Sequence, residues 1–436
     1  MKNNIPKASI ISSLVSKFEE IRCSLPQESA FTTGGRPPKI SMHDLISGLV
    51  WHVLQPSGYF SHHLSLFTGI KMSDSALSER RQSLGSAPWL ETLNIFLRRN
   101  ANSKHQPHAF YKGLRLIGID GTTLNVANTP SIKTKANKTK TRRGKAAFHR
   151  ISCVATVELG THSPIALRIG EAGESEGALA TTILSSLESD DLVIGDRYYG
   201  NGKYAGRLLS LPQKPKFLVR VQERFNSVIV KKLKDRSKLV KVKEPVTGDY
   251  VMLRQIKAKV RRQRKRWVNI RLWTNLLDPV LYPANELILL YRIRWEHEIA
   301  FREFKEYLHD DNVLLSHTII TAVQEICALF MAQSIVANTR LIAANGQNIQ
   351  VLQISFLKTL DACRNLCWLS AVAGNIITAG QFKKIAHLTE IELGRQASKK
   401  RRQRSCPRKV RQPINKWPRM IRNRYAEGKF EHKIRN

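Results

Sequence analysis

Residues 291–305 read Tyr-Arg-Ile-Arg-Trp-Glu-His-Glu-Ile-Ala-Phe-Arg-Glu-Phe-Lys. Nothing in this stretch breaks a helix, and Ala, Arg, Glu and Lys favour one. At about 100° per residue, with Tyr291 as zero, Arg294 falls at about 300°, Glu298 at about 340° and Lys305 at about 320°. A regular helix would therefore line up a phenol, a guanidinium, a carboxylate and an ammonium on a strip roughly 60° wide and about 21 Å long. Such a strip can grip a phosphate-rich ligand and a metal ion together. A solvated helix face with i,i+4 ion pairs has the same look. The rest of the chain decides between them.

The chain has 436 residues, room for two or three domains, and its 42% hydrophobic content fits a globular protein. Its charge is the outlying feature: 71 Lys and Arg against 34 Asp and Glu, a net +37. That surplus implies a polyanionic partner bound with steep salt dependence. An RNA-binding protein would share it. A membrane-surface role fits less well, because the basic residues are not gathered on one amphipathic helix. No apolar run reaches the ~20 residues of a membrane span. The best stretch, 322–337, is interrupted by Gln324, Glu325 and Gln333. Met1-Lys2-Asn3-Asn4-Ile5-Pro6 has no apolar segment behind it, so no signal peptide is expected. Of six cysteines only Cys363 and Cys367 are close in sequence, without matching ligands, so buried reduced thiols are expected. The expectation is a cytoplasmic, nucleoid-associated protein with no membrane partner.

Residues 1–108 read as helical. Leu14, Phe18 and Ile21 form a stripe, and Ser41 suits the N-cap of a helix over 42–54. A further helix is expected over 62–68. Ser73 or Ser75 would cap the next, which carries Ala76, Leu77, Arg80, Arg81 and Leu84. Short helices ending on one that bears arginines suit a helix-turn-helix-like reader with Arg80 and Arg81 on DNA; a plain helical bundle is the alternative. Residues 114–120 then form a buried strand that should end on Asp120, before Gly121-Thr122-Thr123. Residues 131–150 hold eight Lys or Arg and no acid. A hairpin over 151–169, a helix over 176–187 with Ser175 as cap, and a second buried strand ending on Asp196 complete a mixed α/β pattern. A helix over 202–211 and a strand over 217–221 follow. Residues 223–280 turn strand-rich and basic. Apolar helices over 317–345 and 351–369 come after the opening stretch. Residues 399–436 carry fifteen Lys or Arg and two acids, a tail expected to lack a packed core.

Three carboxylates stand out: Asp120 and Asp196 at strand ends, and Glu298 on a later helix. Gathered together they would repel one another unless they held a divalent cation, and hard oxygen ligands suit Mg²⁺, with Mn²⁺ as a substitute. Two such ions can activate a nucleophile and stabilise the leaving oxygen of a phosphodiester.

These residues carry a resemblance. Tyr291-x2-Arg294-x3-Glu298-x6-Lys305 matches the Y-R-E-K signature of bacterial insertion-sequence transposases with a DDE triad on an RNase H-like fold. Asp120-Gly121-Thr122-Thr123-Leu124 is similar to the first-Asp motif of that family, and Asp196-Arg197-Tyr198-Tyr199 to the second, although Tyr198 stands where relatives often have a small residue. The resemblance covers roughly 110–310 and implies the following. The fold would be an RNase H-like mixed α/β catalytic domain (109–222 and 281–385) with a β-rich insertion (223–280). It would carry an all-helical N-terminal DNA-binding domain (1–108) and a basic tail (386–436). Asp120, Asp196 and Glu298 would be catalytic and hold two Mg²⁺ ions. Tyr291, Arg294 and Lys305 would bind phosphates of the element end, with Arg197 contacting DNA or pairing with an acid. An aromatic of the insertion, Trp267 or Trp273, could stack on a flipped base, although a core position suits either tryptophan. The partners would be double-stranded DNA, both element ends and target, and a second copy of the chain in a synaptic dimer. The activity would be end cleavage followed by joining of 3′-hydroxyls to target DNA. An RNase H-like nuclease that cuts without joining, and an inactive end-binding protein, are the alternatives.

Overall fold

The computed structural model describes residues 38–398, with breaks at 134–135, 137–139, 142–143, 172–173, 262–266, 311–312 and 374–375, and residues 432–434. The stripe at 11–23 and residues 399–431 and 435–436 of the basic tail lie outside the described residues. The chain is a mixed α/β fold divided into two compact units, residues 1–186 with 296–401 and residues 187–295 with 402–436.

In the first unit four strands run antiparallel: β1 (Phe110–Tyr111), β2 (Leu114–Val126), β3 (His149–Glu158) and β4 (Ser163–Ile169), in the order β4-β3-β2-β1. The sequence reading ended β2 on Asp120, and the structure corrects this. β3 pairs with β2 without a break from Ile117↔Glu158 to Val126↔His149. Leu124 and Val126 are buried, so the ladder carries Gly121-Thr122-Thr123 onward as strand instead of letting it turn. Asp120 therefore sits in the middle of a strand, opposite Ala155.

The helices begin where local capping chemistry puts them. Ser41 accepts from the Asp44 amide at the start of Met42–Leu54, Ser73 from Ala76 at the start of Asp74–Leu84, and Ser175 from Ala178 at the start of Glu176–Ile183. The helices between Met42 and Phe96 have no core of their own. Trp51, Trp89 and Phe96 share one buried cluster with residues of β2, β3 and the Ile319–Gln347 and Phe356–Ala373 helices. Each buried Leu or Phe there contributes about 1.5–3 kcal/mol. Ile319–Gln347 is long and apolar enough to cross a membrane, yet 83% of its most apolar stretch is buried inside the unit, which makes it a core helix. The polar residues that interrupt it have defined partners. Gln324 donates to the carbonyls of Arg81 (2.7 Å) and Gly85 (2.6 Å), and Glu325 accepts from the amides of Leu315 and Ser316. A helix over Ala379–Arg395, begun by a Thr378–Gln381 capping box, runs on into the stretch read as tail.

The second unit contains β5 (Asp191–Gly195), β6 (Lys216–Arg220), β7 (Val228–Lys232), β8 (Lys238–Lys243), β9 (Tyr250–Arg261), β10 (Trp267–Thr274) and β11 (His432–Ile434). β5 and β6 are parallel; β6 then continues antiparallel through β10, β9 and β8 to β7, and β11 pairs with β9. The strands read as an insertion thus extend a sheet that β5 and β6 begin. One of their many cations is internal. Arg254, fully buried on β9, donates to Ser237 Oγ and the carbonyls of Leu276 and Tyr282, and pairs with Asp235.

Candidate functional site

In the first unit the structure brings the helix of Glu298 onto the strand that carries Asp120. The contact is made by His297. Its Nε2 lies 3.3 Å from the carbonyl oxygen of Ala155, the residue facing Asp120 across the β2–β3 ladder. Its ring fills the space that a Cβ on Gly118 would take. Lys305 lies close enough for its charge to act on the buried thiol of Cys153, whose ladder partner Thr122 is two residues beyond Asp120. Asp120 and Glu298 are both half-buried. Asp120 Oδ1 accepts from the Gly121 amide at 2.9 Å. Glu176, at the first turn of its helix, packs over Gly121, where an added Cβ would lie 2.7 Å from Glu176 Cγ. The glycine after Asp120 marks that close approach, a signal that the sequence reading left unused.

The opening stretch is not one regular helix. Tyr291–Arg294 is a 3₁₀ turn, Trp295–Arg302 is α-helix and Glu303–Leu308 is a π turn, with the His309 amide bonded to the Phe304 carbonyl. A uniform 100° per residue therefore fails at both ends: a 3₁₀ turn advances by about 120° and a π turn by less than an α-helix. Asp120, Glu298 and Lys305 belong to the first unit, and Asp196, Tyr291 and Arg294 to the second.

In the second unit Asp196 follows directly on β5, as the sequence reading had it, and its Oδ1 accepts from the Tyr198 amide at 2.7 Å. Tyr291 Oη reaches the carbonyl of Gly195 at 3.3 Å, which ties the signature tyrosine to the end of that strand. Arg294 lies 4.4 Å over the Trp295 ring. Asp196 opens onto a cleft of about 810 Å³ whose walls carry Arg197, Arg220, Arg224, Lys257 and Arg271 against a single further acid, Glu223. Tyr198 is exposed there, while Tyr199 is buried against Tyr204. A carboxylate at the mouth of a strongly cationic cleft is an arrangement that accepts a polyanion.

Two expected DNA contacts have internal roles instead. Arg81 donates to Gln324 Oε1 (3.0 Å), Ser316 Oγ (3.3 Å) and the Thr321 carbonyl (2.8 Å), and burial lowers its pKa. It joins the Asp74–Leu84 helix to the central helix, Ile319–Gln347. Arg80 is half-buried. Trp273 is fully buried, its indole N–H donating to Gln255 Oε1, so it cannot stack on a base; Trp267, on the same strand, is 39% exposed.

The donor set Asp120, Asp196 and Glu298 is all carboxylate oxygen, which fits Mg²⁺ or Mn²⁺ chemistry. Among the described residues, no group of three or more His, Cys, Asp or Glu side chains is arranged to hold a metal ion.

Residues 111–335, just over half of the chain, match a family described as a transposase DDE domain. A curated relative, the transposase InsG for insertion sequence element IS4 from Escherichia coli (strain K12), is 27% identical over 256 residues. That alignment covers 56% of this chain and 55% of the relative, so the chain spans about half the length of the protein it matches. A cryo-EM structure of a piggyBac transposase synaptic complex with hairpin DNA aligns at a TM-score of 0.44 and 12% identity, over 87% of this chain and 82% of that one.

Proposed function

Because the chain belongs to the transposase DDE domain family, we propose that it is a DNA transposase that cuts the ends of an insertion sequence and joins the freed 3′-hydroxyls to target DNA. The observation that carries the reading is the docking of the Glu298 helix, through His297 and Ala155, at the level of Asp120. A carboxylate in mid-strand and a second on the helix laid across it are the means to assemble a phosphoryl-transfer site. Asp120, Asp196 and Glu298 would hold divalent cations. Such ions, when bound, stabilise charge on the attacking and leaving oxygens.

The chain's own groups bind and orient the DNA. Arg197 and the other cations of the Asp196 cleft take up phosphates, as do Arg294 and Lys305, while Tyr291 steadies the end of β5. Arg80 contacts the duplex from the helical region. Trp267 is the exposed insertion tryptophan able to stack on an unpaired base. The core is RNase H-like, with β7–β10 as its β-rich insertion and the basic tail as a salt-sensitive DNA contact. Two element ends require two copies of the chain, a synaptic dimer working on DNA in the bacterial cytoplasm.

The test uses the full-length protein with Mg²⁺, element-end DNA and a target plasmid. Wild type should cleave and join. Asp120→Asn and Glu298→Gln should each lose both steps while binding the ends within about 2-fold of wild type, because neither removes a phosphate-binding cation. Cleavage without joined product from pre-cut ends would leave a nuclease; activity in either variant would overturn the assignment of these carboxylates.

A further inference from the structure

His162 lies in the β3–β4 turn with φ +62°, in the left-handed region, and is 1% exposed. Both of its ring nitrogens face carboxylates of the helix that carries Glu298. Nδ1 lies 2.6 Å from Glu303 Oε2, and Nε2 lies 3.0 Å from Glu296 Oε2. Glu303 also accepts from Arg340 Nη1 at 3.2 Å, and Arg340, 2% exposed on the central helix, holds the Ile354 carbonyl with its other nitrogen.

A neutral imidazole has one N–H, and two carboxylate acceptors require two, so the geometry is that of an imidazolium. With Arg340 it sets two cations against Glu303, which is buried, and Glu296, whose side chain is 18% exposed. Burial works against the proton, but Glu303 and Glu296 outweigh it and hold the His162 pKa above its ordinary value.

The placement gives these four residues their purpose. Glu296 and Glu303 stand seven residues apart, on either side of Glu298 and just before Lys305. Glu303 is also the first residue of the π turn. A π turn has poorer backbone geometry than an α-helix and persists where side chains fix it, often at functional sites. His162 and Arg340 grip the residue at which the pitch changes.

We infer that His162 is a positioning residue for the reaction: by bridging Glu296 and Glu303 it fixes the rotation and pitch of the helix that presents Glu298 and Lys305. The inference rests on the transposase reading for its consequence, though not for the clamp itself. Its test therefore has two independent readouts. Two full-length variants are used. His162→Asn tolerates the left-handed backbone and is too short for both bridges. Glu296→Gln weakens only the outer bridge and guards against a failure of the first to fold.

The first readout is hydrogen exchange of the amides over residues 295–308, which needs no activity. Folded variants should exchange there at least about tenfold faster than wild type, with the rest of the first unit unchanged. The second is Mg²⁺-dependent cleavage of element-end DNA. The rate at saturating DNA should fall about tenfold or more, while the dissociation constant for the ends moves by less than about 2-fold. Unchanged exchange in both variants would overturn the clamp. Faster exchange with an unchanged cleavage rate would overturn the positioning role. Inactivity of wild type would instead count against the transposase reading, and the exchange readout would still decide the clamp.

Discussion

Gly118 and His297 occupy each other's space. A Cβ on Gly118 would lie 2.5 Å from His297 Cδ2 and 2.7 Å from Leu159 Cδ2. Both neighbours are buried, so neither can swing away. Gly118→Ala should cost about 1–3 kcal/mol of stability, the usual penalty for overpacking a core. It should also lower cleavage by more than its stability loss explains, because the ring it displaces seats the helix of Glu298. Denaturant midpoints and single-turnover cleavage measure the two effects; an alanine variant as stable and as fast as wild type would show that the contact positions nothing.

Gly121 makes the contrasting case. Its would-be Cβ meets the end of the half-buried Glu176 side chain. Displacing one half-buried flexible side chain costs less than displacing a buried ring, so Gly121→Ala should cost less than Gly118→Ala. Thermal melts of the two alanine variants should rank Gly118→Ala clearly below Gly121→Ala, and a reversed order would contradict the packing described for β2.

Arg81 and Arg197 should separate structure from DNA binding. Arg81→Ala strips three hydrogen bonds from the joint between two helices and should cost about 2–3 kcal/mol. The salt dependence of DNA binding by the folded variant should not change. Arg197, exposed beside Asp196, should behave in the opposite way. Arg197→Ala should leave the melting point within error and reduce the slope of log K against log salt by about 1.

The His162 imidazolium makes stability depend on pH. The proton is held more tightly in the folded chain than in the unfolded one, because Glu303 and Glu296 outweigh burial. The stabilisation is therefore fully present below the unfolded value, about 6.5, and drains away as pH rises through the higher folded value. His162→Asn should lose about 3 kcal/mol at pH 6 and progressively less, relative to wild type, at alkaline pH. Paired urea titrations from pH 6 to 9 would show the two curves converging; curves that stay parallel or diverge would mean that the folded chain does not hold the His162 proton more tightly than the unfolded one.

Much of the site was legible because its signals are local. Ser41, Ser73 and Ser175 cap helices through groups three residues away, and Asp196 follows a short apolar strand whose end its own sequence marks. What sequence reasoning missed depends on distant partners. β2 runs past Asp120 because β3, some thirty residues on, pairs with it. Arg81 looked like a DNA contact because its acceptors lie some 240 residues away, on the central helix. Trp273 and Trp267 share one strand, and only the packed sheet shows which of them is buried.

The π turn at Glu303–Leu308 means that this helix spends one residue more on its turn than an α-helix would. A deletion inside a helix is ordinarily ruinous, since every later side chain rotates away from its partners. Here the loss of one residue would let the turn relax to ordinary α-helical bonding. The signature spacing from Glu298 to Lys305 thus counts residues and not angle. A relative lacking one residue in this turn would keep the residues that follow it facing as they do here while breaking the written motif.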